Sequence, residues 1–454
     1  MNQQLHTTLH RTAKYFMDSG RAQSPEEAMN LLQTFGLTVI VGPEITISRD
    51  AQIALLTLVN LARRTFLAGV EVIGLGSAKV IVPLALEPTL AEAVAHLGGR
   101  VVNQIRADWP TAVIGSTAPS TTGPAWRLTW KDWRAGIVPL REDWSLGEGL
   151  SMPLAPALAA AICAAEVFSL HAGDHAMAGK RPVGLSMWRP DVDWTTDGPS
   201  VPGLTFLPSR LWLIGLGNLG QAYAWLLACL PYPTGTLELV LQDFDRLAVS
   251  NDSTSILTNL DVVDRMKTRW VSDWMEARGF KTFLEERCFG TWTHRTDDEP
   301  AVALCGVDNA LARSALERAG FDFVVESGLG AGPQSFRNFS MHTFPGPRRA
   351  EQLWPATEVT NGPDVSGMPA YAKLKKDGLD QCGLAQLASR TVGVPFVGLL
   401  AATFVISELL RRLHGGLSYG VISGSSMCLD DLDVAAVQRG PYAHGFVQVN
   451  GGEI

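Results

Sequence analysis

The second half of the chain alternates short apolar runs with segments whose apolar residues recur at helical spacing. Residues 211–217 (LWLIGLG), 237–245 (LELVLQDFD) and 301–308 (AVALCGVD) predict buried strands, because each run is short and ends in Gly or Asp. Helices are predicted between them, over 218–230 and about 261–278. Strands that alternate with helices predict an α/β fold with a doubly wound parallel sheet.

A weaker version of the same alternation runs through the first half. Residues 36–47 (GLTVIVGPEITI) predict a strand, residues 50–67 a helix and residues 70–75 (VEVIGL) another strand, but no glycine fingerprint accompanies them. An apolar helical segment also closes each half, at 153–170 and at 392–410. The pattern predicts a degenerate internal repeat, with two unrelated α/β halves as the alternative.

Proline, glycine and aspartate become frequent between the two halves, where no periodicity is visible. This segment, residues 171–205, is predicted as a linker. It separates a first half at 1–170 from a second half at 206–425, and residues 426–454 are predicted as a carboxy-terminal tail. A length of 454 residues favours more than one domain, because a single core rarely grows so large.

Charge and cysteine usage narrow the classes of function. Lys and Arg number 37 against 45 Asp and Glu, and no basic run could follow a phosphate backbone, which argues against nucleic acid as a partner. The amino-terminal residues lack an apolar signal core and the longest apolar stretches are interrupted, so we expect a cytoplasmic protein that binds no membrane. Six scattered cysteines without a CxxC pair argue against structural zinc and disulfides.

Three glycines follow the strand that begins at residue 211, and their spacing suits a nucleotide phosphate. Gly215 would permit a tight bend, Gly217 would let the backbone approach the phosphate, and the helix around Gly220 would offer unpaired N–H groups. Asp243 ends the next strand, where a carboxylate can contact a ribose. NAD and ATP both remain open at this point.

The residues that follow favour ATP. Asp245 lies beside Asp243, Lys267 lies in the following predicted helix, and Asp308 ends the strand at 301–308. A lysine can offset triphosphate charge, and a carboxylate at a strand end can hold the magnesium ion that bridges phosphate oxygens. An NAD-dependent dehydrogenase needs neither group, and the chain offers no obvious acid or base for hydride transfer.

In order and spacing, the motifs GLGNLG, DFDRLAVSNDSTS, Lys267, GVDN and Cys382-Gly383 resemble those of the ubiquitin-activating enzyme superfamily, which includes the bacterial proteins ThiF and MoeB. The resemblance covers residues 211–412. It implies a Rossmann-like, doubly wound adenylation domain of ThiF/MoeB type, preceded by a degenerate, inactive α/β adenylation-like half.

The resemblance also implies roles for single residues. Asp243 would bind the ATP ribose, Asn251 and Lys267 the phosphates, and Asp308 the magnesium ion; Lys267, Asp308 and Cys382 would carry the chemistry. Simpler alternatives remain: Asn251 as a turn residue, Lys267 as a solvated helix residue and Asp308 as a helix cap. The nucleotide-binding residues that the resemblance implies are Gly215, Gly217, Asn218, Gly220, Asp243, Asp245, Asn251, Lys267 and Asp308.

The sequence departs from the family pattern in two places. Asn218 replaces the second of two consecutive glycines, and Thr254 and Ser255 stand where the family has an arginine and a glutamine. Members of the family borrow an arginine from the partner subunit or partner half. Arg63 and Arg64, on a predicted helix of the first half, are therefore candidates for the missing charge.

Cys382 is the predicted nucleophile, because it matches the position of the family's cysteine. Polar or small neighbours on both sides predict an accessible loop, and a thiolate nucleophile needs access. The remaining cysteines lie in apolar runs or lack support from their position: Cys163, Cys229, Cys288, Cys305 and Cys428.

The implied activity is ATP-dependent adenylation of the carboxy-terminal glycine of a ubiquitin-like protein, followed by a thioester on Cys382 and transfer to a conjugating enzyme. The compact chain resembles bacterial enzymes from operons that encode a modifier, a conjugating enzyme and a deconjugase, some of which act in phage defence. One alternative is a ThiF/MoeB-type adenylyltransferase for sulfur transfer, and another is a non-catalytic, pseudo-activating binding protein. The two halves would pair as a pseudo-dimer within one chain, and a homodimer is left open.

Overall fold

The computed structural model of the protein describes residues 5–147, 152–196, 201–355 and 367–449. The helices of the first half are α1 (Leu5–Thr8), α2 (Ala13–Asp18), α3 (Pro25–Leu32), α4 (Arg49–Arg63), α5 (Leu90–His96) and α6 (Leu154–Ala172). Its strands are β1 (Gly36–Val41), β2 (Gly69–Ile73), β3 (Arg100–Val101), β4 (Thr111–Ile114), β5 (Ala125–Lys131), β6 (Arg134–Pro139) and β7 (Val183–Ser186).

The second half follows the same plan. Its strands are β8 (Phe206–Pro208), β9 (Arg210–Ile214), β10 (Glu238–Gln242), β11 (Lys281–Glu285), β12 (Val302–Cys305), β13 (Phe323–Leu329), β14 (Asn338–Phe344), β15 (Ser418–Ser425), β16 (Cys428–Val437) and β17 (Phe446–Gln448). Its helices are α7 (Asn218–Cys229), α8 (Lys267–Glu276), α9 (Ala310–Ser314), α10 (Ala350–Leu353), α11 (Pro369–Lys376), α12 (Gln381–Ser389) and α13 (Pro395–Leu413).

The two halves build their large sheets in the same order. The seven-stranded sheet runs β3-β2-β1-β4-β5-β6-β7, and the eight-stranded sheet runs β11-β10-β9-β12-β13-β14-β15-β16. In both, the first five strands of the order are parallel and the others antiparallel. The predicted doubly wound α/β fold is confirmed, and the shared order supports an internal repeat over two unrelated halves.

A common core joins the halves. α6 and α13 follow the sixth strand of their respective sheets and pack against each other, while α4 packs on α6 and α7 packs on α13. Of the described helices, α6 is the one that is long and apolar enough to cross a membrane by length and composition. Of its apolar window 89% is buried inside the protein, which is the position of a core helix.

Two segments that the sequence predicts as a linker and a tail contain strands of the fold. Residues 171–205 include β7, which pairs with β6 at the end of the first sheet. Residues 426–454 include β16, the last strand of the second sheet, and β17, which pairs with β8. β7 and β16 lie at sheet edges and β17 pairs with a strand far away in sequence, so local apolar patterning gives little signal for them.

The helix predicted over 261–278 begins later, at Lys267. Residues Leu260–Val262 form a separate 3-10 turn, and Asp264 has a left-handed backbone with φ of 68°. A left-handed residue without a glycine's freedom interrupts a helix. Lys267 consequently lies in the first turn of α8, facing the end of β10.

Candidate active site

The predicted nucleotide residues lie at the carboxyl ends of β9, β10 and β12. β9 lies between the other two, and the chain leaves it toward β10 first and reaches β12 only afterwards. In doubly wound sheets the connections at such a reversal of strand order leave on opposite faces and open a crevice, which is where ligands bind.

The turn from β9 into α7 depends on close backbone contacts. Gly215 has a φ of 83°, and a Cβ there would lie 2.8 Å from Val307 Cγ1. A Cβ on Gly220 would lie 1.9 Å from the carbonyl oxygen of Gly215. At Gly217 a Cβ would meet no atom within 4 Å, so the start of α7 faces open space. The first amides of a helix lack intrahelical partners, and here they are available to an anion.

Asp243 connects this turn to the end of β10. The carboxylate is 8% exposed; Oδ2 accepts a hydrogen bond from the Leu216 amide at 2.7 Å and Oδ1 one from the Asp245 amide at 2.8 Å. Lys267 Nζ lies 2.8 Å from Asp245 Oδ2 and 3.7 Å from Asp243 Oδ2. Lys267 is itself 8% exposed, which differs from the alternative of a solvated helix residue.

Asp308 follows β12 and is exposed at the same end of the sheet. The helix cap is its neighbour: Asn309 accepts hydrogen bonds from the amides of Leu311 and Ala312, at 2.8 and 3.2 Å. Asp308 is therefore not the residue that caps α9. No group of three or more His, Cys, Asp or Glu side chains among the described residues could hold a metal ion. A single carboxylate fits magnesium that takes its other ligands from phosphates and water.

Asn218, the first departure from the family pattern, does not block the turn from β9 into α7. The Asn218 side chain is directed toward α13, where Nδ2 donates to the carbonyl of Val394 at 3.3 Å. Gly398 gives it room, because a Cβ there would lie 2.1 Å from Asn218 Oδ1. Asn218 thus fills a gap between two helices.

The loop after β10 is held by the first half. Arg63 binds the Asp252 carboxylate through two nitrogens, at 2.7 and 3.1 Å. Arg64, 3% exposed, donates to the carbonyls of Ile256 and Thr258, both at 2.8 Å. The structure therefore uses both guanidinium groups to fasten this loop, although the sequence makes them candidates for a phosphate contact. Asn251 Oδ1 accepts from the Ala248 amide at 2.8 Å and so shapes the loop as a turn residue.

Arg11, which the sequence does not mark, also contacts the loop after β10. It comes from the first half, and its guanidinium contacts Ser250 Oγ and the Thr391 carbonyl, each at 3.5 Å. Burial and the neighbouring charge of Arg390 together lower the pKa of Arg11 to about 10, while the charge of Asp308 acts in the opposite direction. Asp308 is thus close enough to act on Arg11, although no local motif marks this residue.

The small residue at the family's arginine position has a packing reason. Thr254 is 8% exposed, and a Cβ on Gly393 would lie 2.9 Å from Thr254 Cγ2. Thr12 Oγ1 also donates to the carbonyl of Gly393 at 3.2 Å. The chain between α12 and α13 therefore packs against Thr254 and is hydrogen-bonded to Thr12, the residue that follows Arg11.

Cys382 lies on α12 and not on the loop that its flanks predict. It is exposed in the first turn, behind Asp380, which caps the helix by accepting from the Gly383 amide at 2.7 Å. The first turn of a helix favours negative charge, as a thiolate would carry. Cys288 and Cys428 are also exposed, while burial raises the pKa of Cys163, Cys229 and Cys305.

Two family models match the chain, the BilD N-terminal domain over residues 36–187 and the BilD C-terminal domain over residues 207–416. A Collimonas protein (strain OK412), called the bacterial E1-like protein BilD, is 59% identical over 445 residues, which cover 98% of this chain and 96% of the relative. The chain belongs to the BilD family. Membership places it among bacterial E1-like proteins, in agreement with the resemblance to activating enzymes.

The BilD domains correspond to the two halves, since the N-terminal model covers β1 to β7 and the C-terminal model begins within β8 and extends through α13. Solved structures of E. coli MccB are more distant. MccB itself and MccB with MccA-N7isoASN are 12% and 14% identical, both with a TM-score of 0.33 and 52% of this chain covered. The matches span 63% and 65% of the MccB chains, less than two thirds of their length.

Proposed function

We propose that this BilD protein uses ATP to adenylate the carboxy-terminal glycine of a ubiquitin-like protein, forms a thioester on Cys382 and passes the modifier to a conjugating enzyme. One observation carries the proposal: at one crevice the sheet brings together the first turn of α7, the buried side chains of Asp243 and Lys267, and the exposed Asp308. An anion site, a buried cation and a carboxylate are the groups that a magnesium nucleotide requires.

Different groups of the protein would bind different parts of the magnesium nucleotide. The α7 amides and Lys267 would attract the phosphates, Asp243 would accept from the ribose hydroxyls, and Asp308 would hold magnesium. Bound ATP supplies an activating group for a carboxylate that is otherwise a poor acyl donor. Arg11 adds a positive charge from the first half, near Asp308, and offsets the arginine that is absent at Thr254. Positioned charges of this kind stabilise charge that develops on phosphate oxygens.

Cys382 would then act as the acyl acceptor. Its position in the first turn of α12 gives the sulfur access, and the chain after α12 leads over Thr254 to the start of α13, beside the crevice. The thiolate would attack the activated carbonyl and release the nucleotide, which gives a thioester that a second thiol can accept. The two halves supply the paired arrangement within one chain; a homodimer and a cytoplasmic location stay predictions.

Two assays test this function together. We expect ATP–pyrophosphate exchange that depends on the ubiquitin-like protein encoded nearest the gene, and an adduct on non-reducing electrophoresis that a thiol reagent removes. Cys382→Ala should abolish the adduct and leave exchange in place. Cys428→Ala is the matched control, because this cysteine is also exposed, and it should behave as wild type.

The other outcomes decide between the alternatives. ATP–pyrophosphate exchange without any thiol-sensitive adduct would favour the alternative of an adenylyltransferase for sulfur transfer over the thioester step. An adduct that persists in Cys382→Ala and disappears in Cys428→Ala would show that the nucleophile is Cys428 and not Cys382. Absence of both exchange and ATP binding would leave a non-catalytic binding protein.

A further inference from the structure

The turn that carries Asp308 is held from behind by Arg313. Arg313, on α9, donates from Nε to the carbonyl oxygen of Val307 at 2.8 Å. Val307 directly precedes Asp308, and its side chain packs against the turn at Gly215, where an added Cβ would lie 2.8 Å from Val307 Cγ1. The hydrogen bond from Arg313 to Val307 therefore holds the turn that carries Asp308, and through the Val307 side chain it also supports the turn at Gly215.

Arg313 is in turn fixed by a buried carboxylate. Glu326 on β13 is fully buried; its Oε1 lies 3.1 Å from Arg313 Nε, and its Oε2 lies 3.0 Å from His342 Nδ1 on β14. Gly328 leaves space for the guanidinium, because a Cβ there would lie 2.7 Å from Arg313 Nη1. The ring of Trp354 covers the group with its centroid 5.4 Å from Arg313 Cζ.

The other carbonyl of this turn is fixed as well. Tyr223 on α7 donates its hydroxyl to the Cys305 carbonyl at 3.0 Å, and the Gly306 amide donates to the Ile214 carbonyl at 2.8 Å. The main chain from Cys305 to Asp308 is thus anchored on both faces of the sheet. A buried ion pair adds little net stability, because loss of hydration offsets the attraction, so its placement here is better explained by geometry than by stability.

We propose that Arg313, held by Glu326, is a positioning residue that keeps the Asp308 turn against the Gly215 turn, and so sets the affinity of the crevice for a divalent cation bound with a nucleoside triphosphate. The inference rests on the proposed function and adds residues that act behind the binding groups. Arg313 would touch neither the nucleotide nor the metal.

The test compares the magnesium dependence of modifier-dependent ATP–pyrophosphate exchange in four proteins. We expect Arg313→Gln to raise the half-saturating magnesium concentration about tenfold and to leave the half-saturating modifier concentration unchanged. Arg313→Lys keeps a donor and a charge and should fall between that variant and wild type. Arg318→Gln is the matched control, since this exposed arginine on the next turn pairs with Glu351 at the surface, and it should match wild type.

A second readout separates this inference from the proposed function. Backbone hydrogen exchange of residues 306–312 should be faster in Arg313→Gln than in wild type or Arg318→Gln, whether or not the protein catalyses pyrophosphate exchange. Lack of catalysis in wild type would refute the proposed function and leave this readout to decide the positioning role. If Arg313→Gln fails to fold, Arg313→Lys carries the same two comparisons. A folded variant with wild-type magnesium dependence and wild-type protection at 306–312 would overturn the inference.

Discussion

At the residue scale, the Asp243 carboxylate ties the glycine turn to the neighbouring strand. We expect Asp243→Asn to weaken ATP binding about tenfold or more, because a neutral amide loses the charge-assisted bond to the Leu216 amide and the attraction for Lys267. Calorimetric titration with ATP measures the change. Asp261→Asn is the control, since Asp261 is exposed on a nearby 3-10 turn. Wild-type affinity for ATP in a folded Asp243→Asn protein would show that the Asp243 carboxylate does not contribute to ATP binding.

Single residues also show what local motifs can and cannot identify. The positions of Gly215, Asp243 and Lys267 at one end of the sheet were predictable, because they follow from spacing along strands and helices that are themselves predictable. Arg11 was not, because only the packing of the first half on the second brings it beside Ser250. For the same reason the sequence could not show that Arg64 fastens a loop and does not face the crevice.

At the scale of elements, α4 fixes the loop that connects β10 to α8. Arg64 donates to the carbonyls of Ile256 and Thr258 and is nearly fully buried, so we expect Arg64→Lys to lower the free energy of unfolding by about 2–4 kcal/mol, since carbonyls of the loop lose their donors inside the protein. Urea unfolding followed by circular dichroism measures this.

The same substitution at a surface pair is the control. Arg318 is 61% exposed and pairs with Glu351, which is 43% exposed, so Arg318→Lys should change the free energy of unfolding by less than about 1 kcal/mol. Equal effects of the two substitutions would mean that the contacts of α4 with this loop contribute no more than a surface ion pair.

Elements with strong local patterns were predicted, and elements defined by distant pairing were not. β9, β10, β12 and α7 have apolar runs that fix their type and their burial. β7 has four residues within a segment rich in proline and glycine, and its place depends on pairing with β6. Cys382 illustrates the same limit, because its polar flanks suit both a loop and the capped first turn of α12.

At the scale of the whole molecule, histidines with lowered pKa values make the stability of the fold depend on pH, and one of them, His10 of the first half, lies beside Asp252 of the second half. Burial lowers the pKa of His10 to about 4, against the opposing charge of Asp252, and burial also lowers the pKa of His171 and His414. His414 Nε2 accepts from the Thr205 amide at 2.9 Å, which requires a neutral ring, at the point where the first half joins β8.

The sign of the effect follows from proton counts. The unfolded chain protonates a histidine as pH falls through about 6.5, while the folded protein keeps His10 neutral until about pH 4, so the unfolded state binds more protons between these values and stability is lost. For His10 alone, the shift of the pKa to about 4 corresponds to a loss of about 2 kcal/mol in the free energy of unfolding between pH 7.5 and pH 5.

Urea unfolding at a series of pH values should show this fall in the free energy of unfolding. His10→Gln should flatten it, whereas His96→Gln, at a histidine that is 63% exposed, should leave it as in wild type. Stability that stays constant or rises toward pH 5 would mean that the contact between the halves does not depend on neutral histidines.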